Sequence, residues 1–233
     1  MKINVDWCLY PDEFGAIEGE EFLVLDPVPV LKYYTDNDSA DFKKCPGYLN
    51  FYKNTFVVCS PIDLEVVINK DESWANIITP QNLPKKVFNP RFGEEHDSPY
   101  PLFSLRLSRL LLTTKTENVY VEQAEPFLEW DRATDIRIIS GNFNINKWVR
   151  PLESSFEQRT KNLTVKFKRG QPMYYIRFIT PNPDDIVVLN KIEITKELFE
   201  DSQRCVSLKS FRPGLSLNML YGLRDKFLGK GKQ

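Results

Sequence analysis

Residues 45–68, CPGYLNFYKNTFVVCSPIDLEVVI, constrain the fold more than any other stretch of this chain. Pro46 suits the first turn of a helix, where a missing N–H costs no hydrogen bond. Tyr48, Leu49, Phe51 and Tyr52 follow at helical spacing, which predicts a short helix over 46–53. Asn54 interrupts it. Two apolar β-type runs, 56–59 and 64–68, come next and are hinged at Ser60 and Pro61. A chain that reads this way builds a β-rich core with a small helix laid against it, and it announces no chemistry.

The same periods organise the rest. Residues 21–25 predict a strand, and Pro27 and Pro29 hold 26–30 extended. Residues 35–44 are a polar loop, and the five prolines of 80–101 preclude a long regular element there. Within 102–113, Leu105 and Leu107 alternate with Ser104, Arg106 and Ser108, the period of a strand. Strands are also predicted at 119–123, 136–139 and 143–149, the last two parted by a turn at 140–142. Residues 125–130 read as a connector that carries aromatics inward. Residues 163–168 and 173–180 predict a hairpin turning at 169–172, and 185–195 ends the β region with Lys191 and Glu193 on the wet face. Thr195 is a cap for a helix beginning at 195–199, and 215–228 spaces its apolar residues as an amphipathic helix. The expected fold is mainly β: a single β-sandwich or jelly-roll over 1–196 with a short internal helix, then a C-terminal helical extension with a basic tail over 197–233. Strand should exceed helix by about twofold or more. Phe56, Val58, Leu64, Val66, Leu105, Leu107, Val165, Phe167, Ile176 and Phe178 should be buried.

Composition excludes several chemistries. The chain of 233 residues has one histidine, His96, in FGEEHDSPYP. A facial-triad iron site needs two histidines and a carboxylate, and catalytic zinc sites of the common types need two or three. A nucleophile–histidine pair would have to use His96. No GxSxG, GxxxxGK[ST] or GxGxxG occurs. Acidic clusters at Glu18, Glu20 and Glu21, at Glu94, Glu95 and Asp97, and at Asp184 and Asp185 match no ligand-loop spacing and read as surface charge. Cys8, Cys45, Cys59 and Cys205 form no CxxC pair and read as reduced, mostly buried thiols of a cytoplasmic protein. No cofactor and no tightly held transition metal is expected, a thiolate site gathered from those four being the alternative. No run approaches the roughly 20 apolar residues of a membrane span.

Net charge is −1, but the ends differ. Residues 1–41 hold ten acids and two bases; residues 204–233 hold seven bases and one acid. The expected partner-binding residues lie on the last helix. Leu217, Leu220, Leu223, Phe227 and Leu228 would supply apolar contact, and Arg224 and Lys226, with Lys230 and Lys232 beyond them, would steer. The partner is a second copy or another protein; the alternative is that the two oppositely charged ends pack on one another within one chain. Nucleic acid is a weaker alternative, drawn from Lys161, Lys166, Lys168, Arg169 and Arg177 interleaved with Tyr174, Tyr175 and Phe178. Alternation assigns most of those rings to the core.

Residues 45–68 and 163–181 (LTVKFKRGQPMYYIRFITP), with PLFSLRLSRLLLTT at 101–114, resemble an uncharacterised family of phage and bacterial β-sandwich proteins, cupin-like in outline. The resemblance implies the β fold and a phage origin, hence a place in the host cytoplasm or the virion. It implies no catalytic residues. Cupins proper hold a metal with several histidines, which this chain lacks. The leading expectation is a non-catalytic structural or protein-interaction role. The alternatives are a ligand- or single-stranded-nucleic-acid-binding β module and an enzyme with a carboxylate-based site. A basic or aromatic patch on one face would mark the first alternative; a pocket lined by two or more carboxylates would mark the second.

Overall fold

The computed structural model describes residues 1–10, 25–34, 44–69, 74–79, 87–91, 102–107, 109–128, 136–158, 162–211 and 214–228. The chain opens with β1 (Lys2–Leu9), β2 (Val28–Pro29), α1 (Val30–Tyr33), α2 (Pro46–Tyr52), β3 (Thr55–Cys59) and β4 (Leu64–Asn69). It continues through β5 (Trp74–Thr79), β6 (Phe88–Arg91), β7 (Leu102–Leu105), β8 (Leu110–Thr113), β9 (Tyr120–Ala124) and β10 (Ile136–Ile138). It ends with β11 (Gly141–Asn144), β12 (Ser154–Gln158), β13 (Asn162–Phe167), β14 (Pro172–Ile179), β15 (Ile186–Lys191), α3 (Lys196–Phe211) and α4 (Leu217–Phe227). Among the described residues strand makes up 44% and helix 24%, close to the expected ratio. The ten residues expected in the core are all buried.

Among the described residues hydrogen bonding sorts the strands into four sheets, where a single sandwich was expected. Their orders are β15-β1-β8, β10-β12-β7-β6, β11-β9-β14-β3-β2 and β13-β4-β5. Apart from the parallel pair β1–β15, neighbours run antiparallel. One continuous apolar cluster runs through all four sheets, from Ile3 and Phe56 to Phe103, Phe156 and Ile176.

The sheets are joined by a folded ribbon rather than by the expected hairpin. β13 and β14 do not pair with each other. β13 pairs with β4, matching Phe167 to Leu64, while β14 pairs with β3, matching Pro172 to Cys59. The two stretches stay antiparallel partners on both sides of a corner at 60–63 and 168–171. Each half of the corner satisfies the other. Ser60 N donates to Gln171 O and Gly170 N to Ser60 O, both at 2.8 Å. Arg169 N donates to Asp63 Oδ1 at 2.8 Å. Gly170 has φ +82°, a conformation that glycine reaches without a Cβ penalty. A left-handed glycine signals a turn, but not whether the next strand returns beside the last.

Other expectations changed for the same reason. The stretch 102–113 is two strands in different sheets, β7 and β8. Gly141 and Asn142 lie inside β11, while β10 sits in another sheet, so the turn expected at 140–142 is a crossover. Val30 begins α1 instead of ending an extended run. Phe127 points outward, at 55% exposure. Strands β5, β6 and β12 were not anticipated; β6 carries Pro90 on a sheet edge, where no ladder partner needs its N–H. The strand predicted at 21–25 falls, apart from Leu25, outside the described residues.

The C-terminal helices share the main core. Thr195 caps α3 as expected, accepting from Leu198 N at 3.2 Å, and Ser216 caps α4 by accepting from Met219 N. Cys205 of α3 and Leu220 and Tyr221 of α4 belong to the large apolar cluster. The Tyr221 ring packs on Trp148 at 6.1 Å, and its hydroxyl accepts from Asn144 N at 2.9 Å.

Candidate functional site

A cleft of about 320 Å³ opens where two sheets diverge. The chain leaves β10 at Ile139, which remains tied to β12 through Ile139 N donating to Ser155 O at 2.7 Å. It then enters β11 at the edge of the five-stranded sheet. The gap between is walled by Phe143 of β11, by Gln123 of β9 and by Ser155 of β12. Lys209 of α3 and Leu217 of α4 form its rim.

One cation dominates the floor. Asn144 builds a tight turn: its Oδ1 accepts from Asn146 N at 2.9 Å and its carbonyl from Trp148 N at 2.9 Å. The chain then runs extended, held by Leu152 N donating to Leu110 O at 2.8 Å. In extended chain successive side chains alternate. Trp148, Arg150 and Leu152 line the cleft, while Val149 packs oppositely with Cys8 and Leu111. The Arg150 guanidinium lies 6.0 Å from the Phe143 ring centroid. Burial pulls its pKa down, Glu153 partly restores it, and Arg109 lowers it further. Glu153 is itself bonded to Arg109 Nη2 at 3.0 Å, so its carboxylate is engaged by Arg109 rather than by Arg150. Among the described residues Arg150 makes no ion pair. Arg150 was not anticipated from sequence; the available signal was an arginine inside the apolar run WVRPL.

The residues expected to bind a partner divide. Leu220 and Arg224 face the body of the protein. Arg224 Nε donates to Asp201 Oδ1 at 3.0 Å and Nη1 to Asn146 O at 3.1 Å, while Nη2 pairs with Asp201 Oδ2. Leu223 and Leu228 are half-buried, and Lys226 is exposed. Leu217 and Phe227 stand 39% and 69% exposed. Steering by Arg224 is therefore corrected: its charge is spent within the chain. Lys230 and Lys232 lie outside the described residues.

The other candidates carry less. Tyr174, Tyr175 and Phe178 are buried, so these rings present no stacking surface. Lys166 pairs with Glu65 at 3.1 Å, and Arg177 lies 4.6 Å from the Phe51 ring centroid. Lys161, His96 and the acidic clusters at 18–21 and 94–97 fall outside the described residues. Asp185 is engaged by the Met1 ammonium at 3.0 Å. Among the described residues no three histidine, cysteine or acidic side chains gather as a metal site, so the four cysteines do not form the thiolate alternative. Among the described residues no helix is long and apolar enough to cross a membrane.

The cysteines give a direct check on packing. Cys8, Cys59 and Cys205 are buried and Cys45 is exposed, all as free thiols. Burial pushes Cys8 up to about 11, and burial with Asp201 nearby pushes Cys205 up to about 11. Thiolate is the reactive form. A disulfide reagent at neutral pH should therefore modify one thiol of the native chain rapidly and all four after denaturation. Cys45→Ser should abolish the rapid phase; two rapid thiols would contradict this packing.

Comparison with known proteins gives no identification: no family model, no curated protein and no solved structure matches the chain.

Proposed function

We propose that this chain is a non-catalytic structural protein, built on a jelly-roll-type framework, that associates with further copies of itself through its C-terminal helices. The folded ribbon of β3–β4 against β13–β14 supports the framework, because a two-stranded ribbon bent across two sheets is how jelly-rolls are wound. The observation that carries the association is the outer stripe of α4. Met219, Leu223 and Phe227 recur every four residues and so share one face. Met219 is 57% and Phe227 69% exposed, with Phe211 of α3 at 82%. The adjoining stripe, Leu220 and Arg224, is docked on the body. The helix is thus presented rigidly, with apolar side chains outward.

A second copy is the favoured occupant because the chain carries its own complementary charge. Residues 1–41 have net −8 and residues 204–233 net +6. Charges at the edge of such a contact act mainly on association rate and salt dependence. Native mass should exceed that of one chain at low salt and fall as salt is raised, the screening length shrinking to about 10 Å at 0.1 M. Met219→Asp with Phe227→Asp, both on exposed positions, should give a monomer with an unchanged melting profile. A full chain that is monomeric at every salt tested would overturn the reading, as would an assembly indifferent to both substitutions.

A further inference from the structure

Among the described residues, the cleft beside the C-terminal helices has a cation that makes no ion pair. Alternation through 148–152 aims Arg150 into the cleft between Trp148 and Leu152. Its neighbours Val149 and Leu152 are both buried, which fixes the backbone that carries it. The nearest carboxylate, Glu153, is held by Arg109 at 3.0 Å. Arg150, Lys209 and Glu153 are the charged side chains among the residues that line the cleft. The rest of the wall is mixed: Phe143 and the exposed Leu217 give it apolar surface beside Asn142 and Ser155. Of the two amides in the wall, Gln123 has a buried Nε2 with no hydrogen-bond partner among the described residues.

We infer that this cleft binds a carboxylate carried on an apolar or aromatic body, with the carboxylate on the Arg150 guanidinium and the body against Phe143 and Leu217. A guanidinium offers a planar fork that matches carboxylate and phosphate alike. Two features favour the carboxylate. Glu153 stands in the same wall and opposes a dianion more than a monoanion. The cleft, at about 320 Å³, is near the lower end of small-molecule sites, which run from about 300 to 1,000 Å³, and Phe143 and Leu217 give a ligand body apolar surface to cover. The same chemistry is available from a free aromatic acid and from the terminal carboxylate of a peptide. This site stands apart from self-association, since its floor is formed within one chain.

The test titrates four probes into the full chain by calorimetry and ligand-observed NMR: N-acetylphenylalanine, its primary amide, benzoate and inorganic phosphate. N-acetylphenylalanine should bind, and the amide, which lacks only the charge, should bind at least about tenfold more weakly. Arg150→Gln should lose a similar factor, and Lys209→Gln, on the surface, should weaken the acid by a smaller, salt-sensitive factor. If Arg150→Gln fails to fold, the acid–amide comparison on the unaltered chain still decides. Benzoate binding as tightly as N-acetylphenylalanine would identify free acids as the ligand source, and a preference for N-acetylphenylalanine would identify chain termini. The inference is overturned if the amide equals the acid, if phosphate displaces both acids, or if no acid binds.

Discussion

Arg224→Ala should destabilise the protein by about 3 kcal/mol, because it leaves Asp201 without its partner at a poorly solvated helix junction. The two side chains are 9% and 15% exposed. Solvent screening, which reduces surface ion pairs to about 0–1 kcal/mol, is therefore largely absent. The geometry is bidentate: Nε faces Oδ1 at 3.0 Å and Nη2 faces Oδ2. A third bond, Nη1 to Asn146 O at 3.1 Å, ties the same guanidinium to the turn that precedes Arg150. For a chain of this size the loss should lower the melting temperature by about 10 °C. Arg224→Lys should recover little, since an ammonium cannot reach two carboxylate oxygens and a carbonyl in one plane. Urea denaturation of Arg224→Ala, Asp201→Ala and the double variant closes a mutant cycle. The double variant should cost clearly less than the two single costs added. A single-variant cost below about 1 kcal/mol would show that α4 is held by Leu220 and Tyr221 alone.

That latch also shows what the sequence disclosed and what it concealed. The spacing of Leu217, Leu220 and Leu223 identified α4 as amphipathic, and it is. Spacing could not say that Arg224, one turn from Leu220, belongs to the docked stripe; only Asp201, 23 residues earlier, makes that position favourable for a cation. The candidate cleft was hidden for a similar reason. Arg150 becomes distinctive through Arg109 capturing Glu153, a contact between residues 44 apart. Period-2 alternation placed Val165, Phe167, Ile176 and Phe178 correctly in the core, because burial follows from one strand's own pattern. Strand partnership does not. Lys168–Gln171 has the composition of a hairpin turn, and Gly170 has the conformation of one, yet β13 and β14 part there because β4 and β3 offer a longer continuous ladder. Local signals fix where a chain bends; the pairing on either side is a property of the whole sheet.

Asn54→Ala should be nearly as damaging, at about 3 kcal/mol, although Asn54 carries no charge and does not line the cleft beside α3 and α4. It ends the aromatic helix in sequence and, at 8% exposure, clamps three strands in space. Its Nδ2 donates to Asp185 O at 3.0 Å, its Oδ1 accepts from Val187 N at 2.9 Å, and its backbone carbonyl accepts from Phe178 N at 2.9 Å. Truncation removes the first two bonds and strands a buried backbone N–H and C=O, each costing about 1–3 kcal/mol. Asn54→Asp separates the two halves of the clamp. It keeps an acceptor for Val187 N but sets a carboxylate against the Asp185 carbonyl, so the introduced group should titrate above the usual carboxylate range when folded. A raised folded-state pKa means that the folded state binds the extra proton, so the variant's deficit should shrink as pH falls through that pKa. Native Asp185 has the opposite sign. Its hydrogen bond to the Met1 ammonium holds its pKa below the ordinary value, so its contribution is present above that value and is lost as pH falls through the lowered one. Melting temperatures of the unaltered chain and of Asn54→Asp, measured across the acid range, should therefore converge as pH is lowered. Parallel profiles would mean that the Asn54 amide does not donate to the Asp185 carbonyl, and that β15 is held to β3 by Val187 N alone.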